Sequence, residues 1–508
     1  MWVLPVLVAI VATAEVKGTP EPCGCSSDPL GDVARVATLA KGGLWLDAGS
    51  LSYNPEELSP ERRPQSEAKA AALAHIYGRA LVGLGADDLA LGPKGVRGAR
   101  QACNVRGMAL QSPRVQTING VKIGVFGVVT PSRVAPLKAA EPVPAAEQAV
   151  KTLRKKGAQV IVALAGMNRL ETRQLLKTVA GIDFAIVGAD VGDGMEEPEP
   201  VGTSWLAAPG DLARYAVKLD VSFVKAGPPI VQFAGEAARK RTLQKAQRRI
   251  ATLQTQIAEW KKDPTADKAF VSARENELAE LQEQQLMMGR ALPVMPPKDS
   301  NYFEYELVPM RHTIPRDPVV AAELTRLAHT IGQVNLAAAK GKEPMPAEPG
   351  APTYVGIEAC GKCHKPAVDF WKTTVHAQAW KTLVDVDKQY NYDCIGCHVT
   401  GWEKPGGVNL VTVEKRKLVD VQCETCHGPG SKHVEEAGLD EPRTITRKPA
   451  DRYCADACHT KEHSDTFALV PYLRDILGKG HGEKARARLG DGPTGGELRK
   501  KALEAAGR

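Results

Sequence analysis

A short string of two cysteines and a histidine recurs in the last third of the chain, and it constrains the fold more than any other feature. The string is Cys-x-x-Cys-His, and a fourth copy has three residues between its cysteines. The four copies comprise Cys360, Cys363 and His364; Cys394, Cys397 and His398; Cys423, Cys426 and His427; and Cys454, Cys458 and His459. With 11 cysteines and 11 histidines in 508 residues, only about 0.005 such strings are expected by chance.

Cys-x-x-Cys-His is the attachment string of a c-type haem. The two thiols bond to the vinyl groups of one porphyrin, and the adjacent histidine is held under the ring as an axial iron ligand. Paired cysteines also build zinc sites, but zinc does not require a histidine after every second cysteine. We therefore predict four haem c groups. The longer spacing at Cys454 and Cys458 leaves open a fourth site that has lost its haem.

Each haem iron has two axial positions, and the motif histidines fill one of them. Eight of the 11 histidines fall within about 120 residues, a clustering that favours ligands over scattered surface residues. The four candidates for the second position are His376, His433, His463 and His481. Four bis-histidine haems would move electrons, whereas an iron without its sixth ligand would bind a small molecule. The sequence does not pair the ligands.

The residues around these motifs resemble the periplasmic tetrahaem cytochrome c family of ammonia-oxidising bacteria. The resemblance covers about residues 353–482. It rests on Tyr354 to Cys360, Phe370-Trp371, Thr374 to Ala377, Cys397 to Gly401, Pro405 to Gly407, Val421 to Gly430, Lys432-His433, Cys458 to Thr460, Phe467 and Tyr472. It implies closely stacked haems, mostly bis-histidine, that exchange electrons with redox partner proteins in the periplasm. Haem attachment in this family also implies export across the membrane.

Composition places the chain among soluble globular proteins of two or three domains, with 43% apolar and 25% charged residues. A net charge of +7 does not by itself indicate nucleic acid. The apolar run over residues 1–12 is too short to span a bilayer, and we predict no transmembrane span. Residues 1–17 are either a signal-like segment, cleaved near Ala14, or the first buried strand.

Alternating strand and helix patterns follow and predict a largely parallel or mixed sheet covered on both faces. Asn119-Gly120 lies between two apolar runs and predicts a hairpin over 115–129. The other predicted elements are strands 44–47, 159–164 and 184–187 and helices 67–83, 145–156 and 170–179. The predicted fold is an α/β sandwich-like scaffold, a helical hairpin and a mostly α or irregular multihaem domain.

The order of these elements resembles the metallophosphoesterase domain of 5′-nucleotidases over about residues 5–223. The matching positions are Glu15 to Gly18, Leu46 to Ser50, Gly85 to Asp88, Cys103-Asn104, the Asn-Gly hairpin and Gly188 to Asp190. Several ligand positions of that family are changed, because Glu15, Lys17 and Ser50 replace its metal-binding side chains and its late histidines are missing near Ala165 and Gly188. A two-metal site needs those ligands. We expect an inactive scaffold, with relic activity as the alternative.

The remaining segments are predicted by their composition. A heptad pattern predicts a helical hairpin over 236–290, with a break at 263–265. The charged residues of this hairpin form either a solvated face or an arm for docking or dimerisation. The predicted divisions are an α/β domain at 18–235, a return strand (302–308) and helix (317–339) within 291–340, a Pro-rich linker at 341–352, the haem domain at 353–485 and a fraying basic tail at 486–508.

Three cysteines lie outside the haem motifs, namely Cys23, Cys25 and Cys103. The first two could pair with Cys103, bind a metal or form a redox pair, or their thiols could be incidental to a tight glycine turn. The sequence predicts a periplasmic electron carrier with no catalytic residues. The alternatives are a haem-dependent oxidoreductase for a small nitrogen or sulfur compound, and a nucleotide- or partner-binding module with an attached cytochrome.

Overall fold

The computed structural model describes residues 5–189, 192–224, 230–262, 267–290, 295–440 and 442–508. The strands are β1 (Val6–Thr13), β2 (Leu44–Asp47), β3 (Leu81–Val82), β4 (Val105–Arg106), β5 (Arg114–Ile118), β6 (Val121–Val129), β7 (Lys138–Ala139), β8 (Val160–Gly166), β9 (Phe184–Val187), β10 (Glu199–Val201), β11 (Ser204–Ala207), β12 (Tyr215–Phe223), β13 (Ile230–Gln232) and β14 (Asn301–Pro309).

The α-helices alternate with these strands and then continue alone to the end of the chain. They are α1 (Val33–Leu39), α2 (Arg63–Ile76), α3 (Pro142–Lys155), α4 (Arg169–Thr178), α5 (Glu236–Trp260), α6 (Lys268–Arg290), α7 (Pro318–Ala339), α8 (Ile357–Gly361), α9 (Lys365–Trp371), α10 (Ala379–Val384), α11 (Cys423–His427), α12 (Ser431–Glu435), α13 (Tyr453–Ala457), α14 (Leu469–Ile476), α15 (Glu483–Arg488) and α16 (Gly495–Ala506).

Two six-stranded mixed sheets form a sandwich, in the orders β13-β14-β12-β1-β2-β3 and β10-β11-β9-β8-β6-β5. Successive side chains of a strand point to opposite faces. Ile10 therefore joins the core between the sheets, whereas its neighbour Val11 packs outward beneath α1, α2 and α7. On the second sheet, Phe126 packs outward with α3 and α4. Because both faces of the central strands are covered, β1, β6, β8 and β9 are nearly all apolar, and the predicted α/β sandwich is confirmed.

The apolar run near the start of the chain is a buried strand. β1 pairs in parallel with β2 and antiparallel with β12, so it lies inside the first sheet. Val8, Ile10 and Val11 are at most 1% exposed. This placement favours the first-strand interpretation, because cleavage near Ala14 would remove a central strand. Residues 1–4 lie outside the described part of the chain.

The Asn-Gly hairpin is confirmed, because β5 pairs antiparallel with β6 across Asn119 and Gly120. The prediction of one helix over 67–83 is wrong at both ends. α2 begins at Arg63, with a proline in its first turn, and ends at Ile76, and Leu81–Val82 forms β3 beside β2. Propensity alone places helix ends poorly, since alanine-rich sequence continues past the point where packing ends the helix.

The helical hairpin is confirmed as an antiparallel pair inserted between two strands of the first sheet. Arg249 bonds to Glu277 at 2.6 Å, and the rings of Trp260 and Phe270 are 5.0 Å apart. Its seam is buried at Ala246, Ile250, Leu253 and Ile257. The predicted break at 263–265 lies outside the described residues. β13 and β14 are adjacent parallel strands, so the chain leaves and re-enters the sheet at neighbouring positions.

The expectation that residues 486–508 fray is wrong. Thr494 and Glu497 form a capping box that begins α16, and Asp475 accepts a hydrogen bond from the Gly496 amide at 2.9 Å. Arg499 donates to the Cys25 carbonyl oxygen at 2.6 Å. The basic composition reflects side chains that bond to the rest of the protein. In the part of the chain described here, no helix has the length and apolar character needed to cross a membrane.

Candidate functional site

Each cysteine-histidine motif lies on a short helical turn. We number them motif 1 (360–364), motif 2 (394–398), motif 3 (423–427) and motif 4 (454–459). Motifs 1, 3 and 4 involve α8, α11 and α13, and motif 2 contains a 3-10 turn. One turn of α-helix takes 3.6 residues, so spacings of three and four both place two thiols on one face. The longer spacing of motif 4 is therefore compatible with haem attachment.

Contacts between cysteines arrange the motifs in the order 1, 3, 4, 2. The side chains of Cys360 and Cys423 interact, as do those of Cys397 and Cys458, and the Cys397 thiol lies 3.9 Å from the Ala457 carbonyl oxygen. Motifs 3 and 4 are also adjacent, because the Tyr453 hydroxyl donates to the Thr425 carbonyl oxygen at 2.6 Å. Motifs distant in sequence are thus brought into one continuous row.

Three motif histidines face a second histidine. The ring centroids are 6.3 Å apart for His364 and His433, 6.3 Å for His376 and His459, and 6.1 Å for His427 and His481. A metal-nitrogen bond of about 2 Å on each side would place two ligating imidazole rings about 6 Å apart, centre to centre. The spacing in all three pairs therefore fits one iron between the two rings.

Hydrogen bonds at Nδ1 set the tautomer of several of these histidines. Nδ1–H donates to a backbone carbonyl oxygen at 2.6 Å in His398, 2.7 Å in His427 and 2.7 Å in His481. With the proton on Nδ1, Nε2 keeps its lone pair for a metal. Burial lowers the pKa of His376 to about 4, so this imidazole is neutral at physiological pH, as a ligand must be.

Among the described residues, the fourth candidate, His463, faces no motif histidine. His463 Nδ1 lies 2.8 Å from the Thr460 hydroxyl, and within the described ranges no histidine ring is stacked on or tilted against His398. The three ring pairs place His433 beside motif 1, His376 beside motif 4 and His481 beside motif 3, a pairing that the sequence left open.

A buried glutamate inside motif 3 ties it to motif 1 and was missed by the sequence analysis. Glu424 accepts hydrogen bonds from the amides of Val355, Gly356 and Gly430 at 2.7–3.1 Å. The first two amides directly precede α8. Glu424 occupies one of the two variable positions of the haem motif, where a charged residue is usually expected to be exposed. Its carboxylate was the sequence signal for this buried contact.

A separate polar cluster lies at the carboxyl ends of β1 and β2. Lys17 Nζ is 3.0 Å from Glu15 Oε2 and 3.6 Å from Asp87 Oδ2. Burial raises the pKa of Glu15 to about 7 despite Lys17, and burial likewise raises the pKa of Asp47 to about 7. The ammonium group of Lys17 thus sits among the carboxylates.

The neighbouring Asp88 is also fully engaged by the protein itself. It accepts from Arg100 Nη2 at 2.9 Å and from the amides of Ser50, Leu51, Ser52 and Gly85 at 3.0–3.2 Å. The predicted position Asp190 lies outside the described residues. In the described ranges, this cluster included, no group of three or more histidine, cysteine, aspartate or glutamate side chains is arranged to hold a metal ion.

The Asn104 side chain has a similar structural role. It donates to the carbonyl oxygens of Val129 and Ala140 at 2.8 and 2.9 Å and accepts from the Val129 amide at 3.1 Å. Its amide group therefore closes a turn within the α/β half.

Comparison with known proteins matches the motif region to a family. Residues 359–428 match the family described as cytochrome c554 and c-prime. Cytochrome c-554 of Nitrosomonas europaea is 31% identical over 150 residues, which cover 23% of this chain and 63% of the relative. The predicted resemblance of the C-terminal region is confirmed, and the family implies covalently bound haem c. The chain spans less than two thirds of this relative's length.

Solved structures that share part of the fold of the N-terminal region include a nucleotidase and a phosphoesterase. A 5′-nucleotidase precursor from Thermus thermophilus matches with a TM-score of 0.42 at 17% identity. The match covers 67% of this chain and 61% of the nucleotidase chain. The calcineurin-like phosphoesterase YfkN from Bacillus subtilis matches with a TM-score of 0.39 at 14% identity. This match covers 66% of this chain and all of the YfkN chain in that structure. These values describe a partial likeness of fold and say nothing of activity.

Motif 2 lies at the boundary between the α/β half and the cytochrome region. Asp393, directly before Cys394, accepts from Lys69 Nζ at 2.5 Å, Arg62 Nη1 at 2.8 Å and Gln65 Nε2 at 2.9 Å. All three donors lie at the start of α2 or on it. The sequence analysis missed this contact because nothing local marks an aspartate as the partner of residues more than 300 positions away.

Replacing Asp393 with asparagine is expected to lower the free energy of unfolding by about 1–2 kcal/mol at pH 7. Burial alone raises the pKa of Asp393, but Lys69 and Arg62 outweigh it and hold the pKa below its usual value. The contribution is therefore present above the unfolded-state pKa of about 4 and is lost as the pH falls below it. Denaturant titrations from pH 3 to 7 measure how the free energy of unfolding of each protein changes with pH.

The matched control is Asp385→Asn, which removes an exposed partner of Lys381. Its effect on unfolding is expected to be under about 0.5 kcal/mol at every pH. Equal effects of the two substitutions at pH 7 would contradict the role given to Asp393.

Proposed function

We propose that this protein carries electrons through four covalently bound haems, held at motifs 1 to 4. The observation that carries the proposal is the set of three histidine pairs with the ring spacing of bis-histidine ligation. Haem c bound there supplies one-electron redox chemistry. The eight motif cysteines hold the porphyrins, and the motif histidines with His376, His433 and His481 hold the irons.

The order of the motifs supports a relay. Cysteines at the edges of neighbouring motifs are in contact or close, so the porphyrins they hold would follow the row 1, 3, 4, 2. Bis-histidine ligation leaves no open position for a substrate at three of the four irons. We place the protein in the periplasm, with redox proteins as partners, because the matched family implies both.

A second candidate function arises at motif 2, where His398 has no facing histidine in the described structure. We propose that the iron held by His398 has an open position for a small nitrogen or sulfur compound. This candidate function is an oxidoreductase with the other three haems as its electron supply. Unlike a simple electron carrier, such an oxidoreductase requires one high-spin haem, because an iron without a sixth ligand is high-spin.

Visible and electron paramagnetic resonance spectra of the ferric protein test both functions together. We expect three low-spin haems and one high-spin haem, and we expect carbon monoxide to bind one haem in four after reduction. Four low-spin haems that bind no carbon monoxide would eliminate the oxidoreductase and leave the carrier. A spectrum that is high-spin throughout would contradict the proposed ligand pairs.

We also propose that the α/β half is an inactive phosphoesterase-like scaffold. A two-metal site needs free carboxylate, amide and imidazole ligands. Here Lys17 neutralises Glu15 and Asp87, Arg100 neutralises Asp88, and Asn104 bonds to the backbone. A divalent cation would have to displace the protein's own cations. The scaffold includes β14 and α7, so we extend this domain from residue 5 to 339, with the hairpin at 236–290 as an insertion.

Assays with Mn²⁺ and a 5′-nucleotide are expected to release no phosphate above the background measured with Asp87→Asn. The variant serves as the control because Asp87 reaches the cluster through Lys17 and is 21% exposed, so its loss should leave the fold intact. A manganese-dependent rate in the unmodified protein that falls in Asp87→Asn would overturn the inactive interpretation.

A further inference from the structure

The loop at residues 21–27 leaves the α/β half and is bonded to the cytochrome region on several sides. Lys388 bonds to Glu21 at 2.6 Å, and Asp465 accepts from the amide and hydroxyl of Ser27. Arg499 donates to the Cys25 carbonyl oxygen at 2.6 Å. A loop whose thiols were incidental would not need to be held against the haem region from three directions.

The loop carries two thiols in contact with one another. Cys23 and Cys25 are separated by one residue and their side chains interact, and Cys23 is exposed whereas Cys25 is half-buried. Gly24 between them lies in a turn with open space around it, so the backbone is free to bring the two sulfurs together. Cys103 has no part in this contact, because it packs against the core of the second sheet.

The same thiols lie in the electrostatic surroundings of motif 2. Cys25 interacts with Cys394 and Cys397, and Cys23 interacts with His463. Cysteines of a haem motif mark the edge of the porphyrin, since they bond to its vinyl groups. Together with the bonds from Lys388 to Glu21 and from Ser27 to Asp465, these interactions place the pair near motif 2.

We propose that Cys23 and Cys25 form a reversible disulfide that exchanges two electrons with the haems of motifs 2 and 4. Closing the disulfide joins the two sulfurs, releases two protons to water and releases two electrons. Two ferric haem irons held at motifs 2 and 4 would supply the one-electron acceptors for this pair of electrons. The inference rests on the proposed function, because it needs haem at both motifs.

The pairing of motifs 2 and 4 supplies the two acceptors. A dithiol gives up two electrons in forming a disulfide, whereas one haem takes a single electron. The Cys397 thiol of motif 2 lies 3.9 Å from the Ala457 carbonyl oxygen of motif 4, so a haem held at motif 4 would be a second acceptor next to the first. Exposed Cys23 is the sulfur that an external thiol or disulfide can reach, which would connect the haems to thiol chemistry outside the protein.

Thiol labelling followed by peptide mass spectrometry tests the inference on the full haem-loaded protein. In the ferric state, the peptide containing Cys23 and Cys25 is expected to lack two hydrogens and to resist alkylation. After full reduction of the haems under anaerobic conditions, both thiols are expected to be alkylated. Cys103 provides the internal reference, because its labelling should not change with the oxidation state of the haems.

A reductive titration gives a second measurement. The unmodified protein is expected to take up two more electrons than it has haems. The Cys23→Ser and Cys25→Ser proteins are each expected to take up one electron per haem and no more. Cys103→Ser is the matched control and should keep the two extra electrons. Haem content, measured separately by mass spectrometry, distinguishes a failure of the disulfide proposal from a failure of the electron-carrier proposal.

Equal labelling in both oxidation states, together with equal electron uptake by the unmodified protein and Cys23→Ser, would overturn the redox pair and leave the electron carrier standing. A protein that carries no covalent haem at motifs 2 and 4 would overturn both.

Discussion

Replacing His376 with alanine is expected to turn one of the three low-spin haems into a high-spin haem. His376 faces the motif 4 histidine, His459, at 6.3 Å between ring centroids. Phe467 stacks on His459 at 5.0 Å and Tyr472 packs at its edge at 5.1 Å, so the motif histidine should keep its place when its partner is removed. The low-spin electron paramagnetic resonance intensity should fall by about a third.

The matched control for this substitution is His463→Ala. His463 lies in the same region, but the described structure gives it a bond to Thr460 and no facing motif histidine. Its removal should leave all three low-spin signals unchanged. The assignment would be contradicted if His463→Ala removed a low-spin signal and His376→Ala did not.

Replacing Asp88 with alanine is expected to lower the free energy of unfolding of the α/β half by about 3–5 kcal/mol. The substitution leaves the guanidinium of Arg100, whose side chain is 1% exposed, without its charge partner. It also deprives the amides of Ser50, Leu51 and Gly85 of their acceptor. An uncompensated buried charge is among the most destabilising changes that a single substitution can make.

Thermal or denaturant unfolding monitored by circular dichroism measures the change. Asp220→Ala is the control, because it removes a partly exposed partner of Lys218 from the same half and should cost less than about 1 kcal/mol. An Asp88→Ala protein as stable as Asp220→Ala would show that Arg100 is not held as a buried ion pair.

Much of the α/β fold was predictable because its signals are local. Asn119 and Gly120 specify a tight turn wherever apolar runs flank them, and the strand at 184–187 is apolar on both faces because both faces are covered. The status of residues 1–12 was not predictable. An apolar run of that length suits a signal segment as well as a strand, and only its pairing with β2 and β12 decides between them.

The haem region shows the same division between local and distant information. The attachment cysteines and motif histidines were readable because one helical turn contains them. The partners of His364, His427 and His459 were not, because the second ring of each pair comes from a segment 54 to 83 positions away that is placed by packing. The basic tail was misjudged because composition does not reveal that Arg499 reaches the loop at Cys25.

Intact-mass spectrometry of the protein from a host competent in haem attachment tests the central claim most directly. We predict a polypeptide mass increased by four haems, with haem on the peptides of all four motifs, including the one bearing Cys454 and Cys458. A mass without covalent haem, or with haem absent from the motifs whose histidines are paired, would contradict the claim that this chain is a multihaem electron carrier.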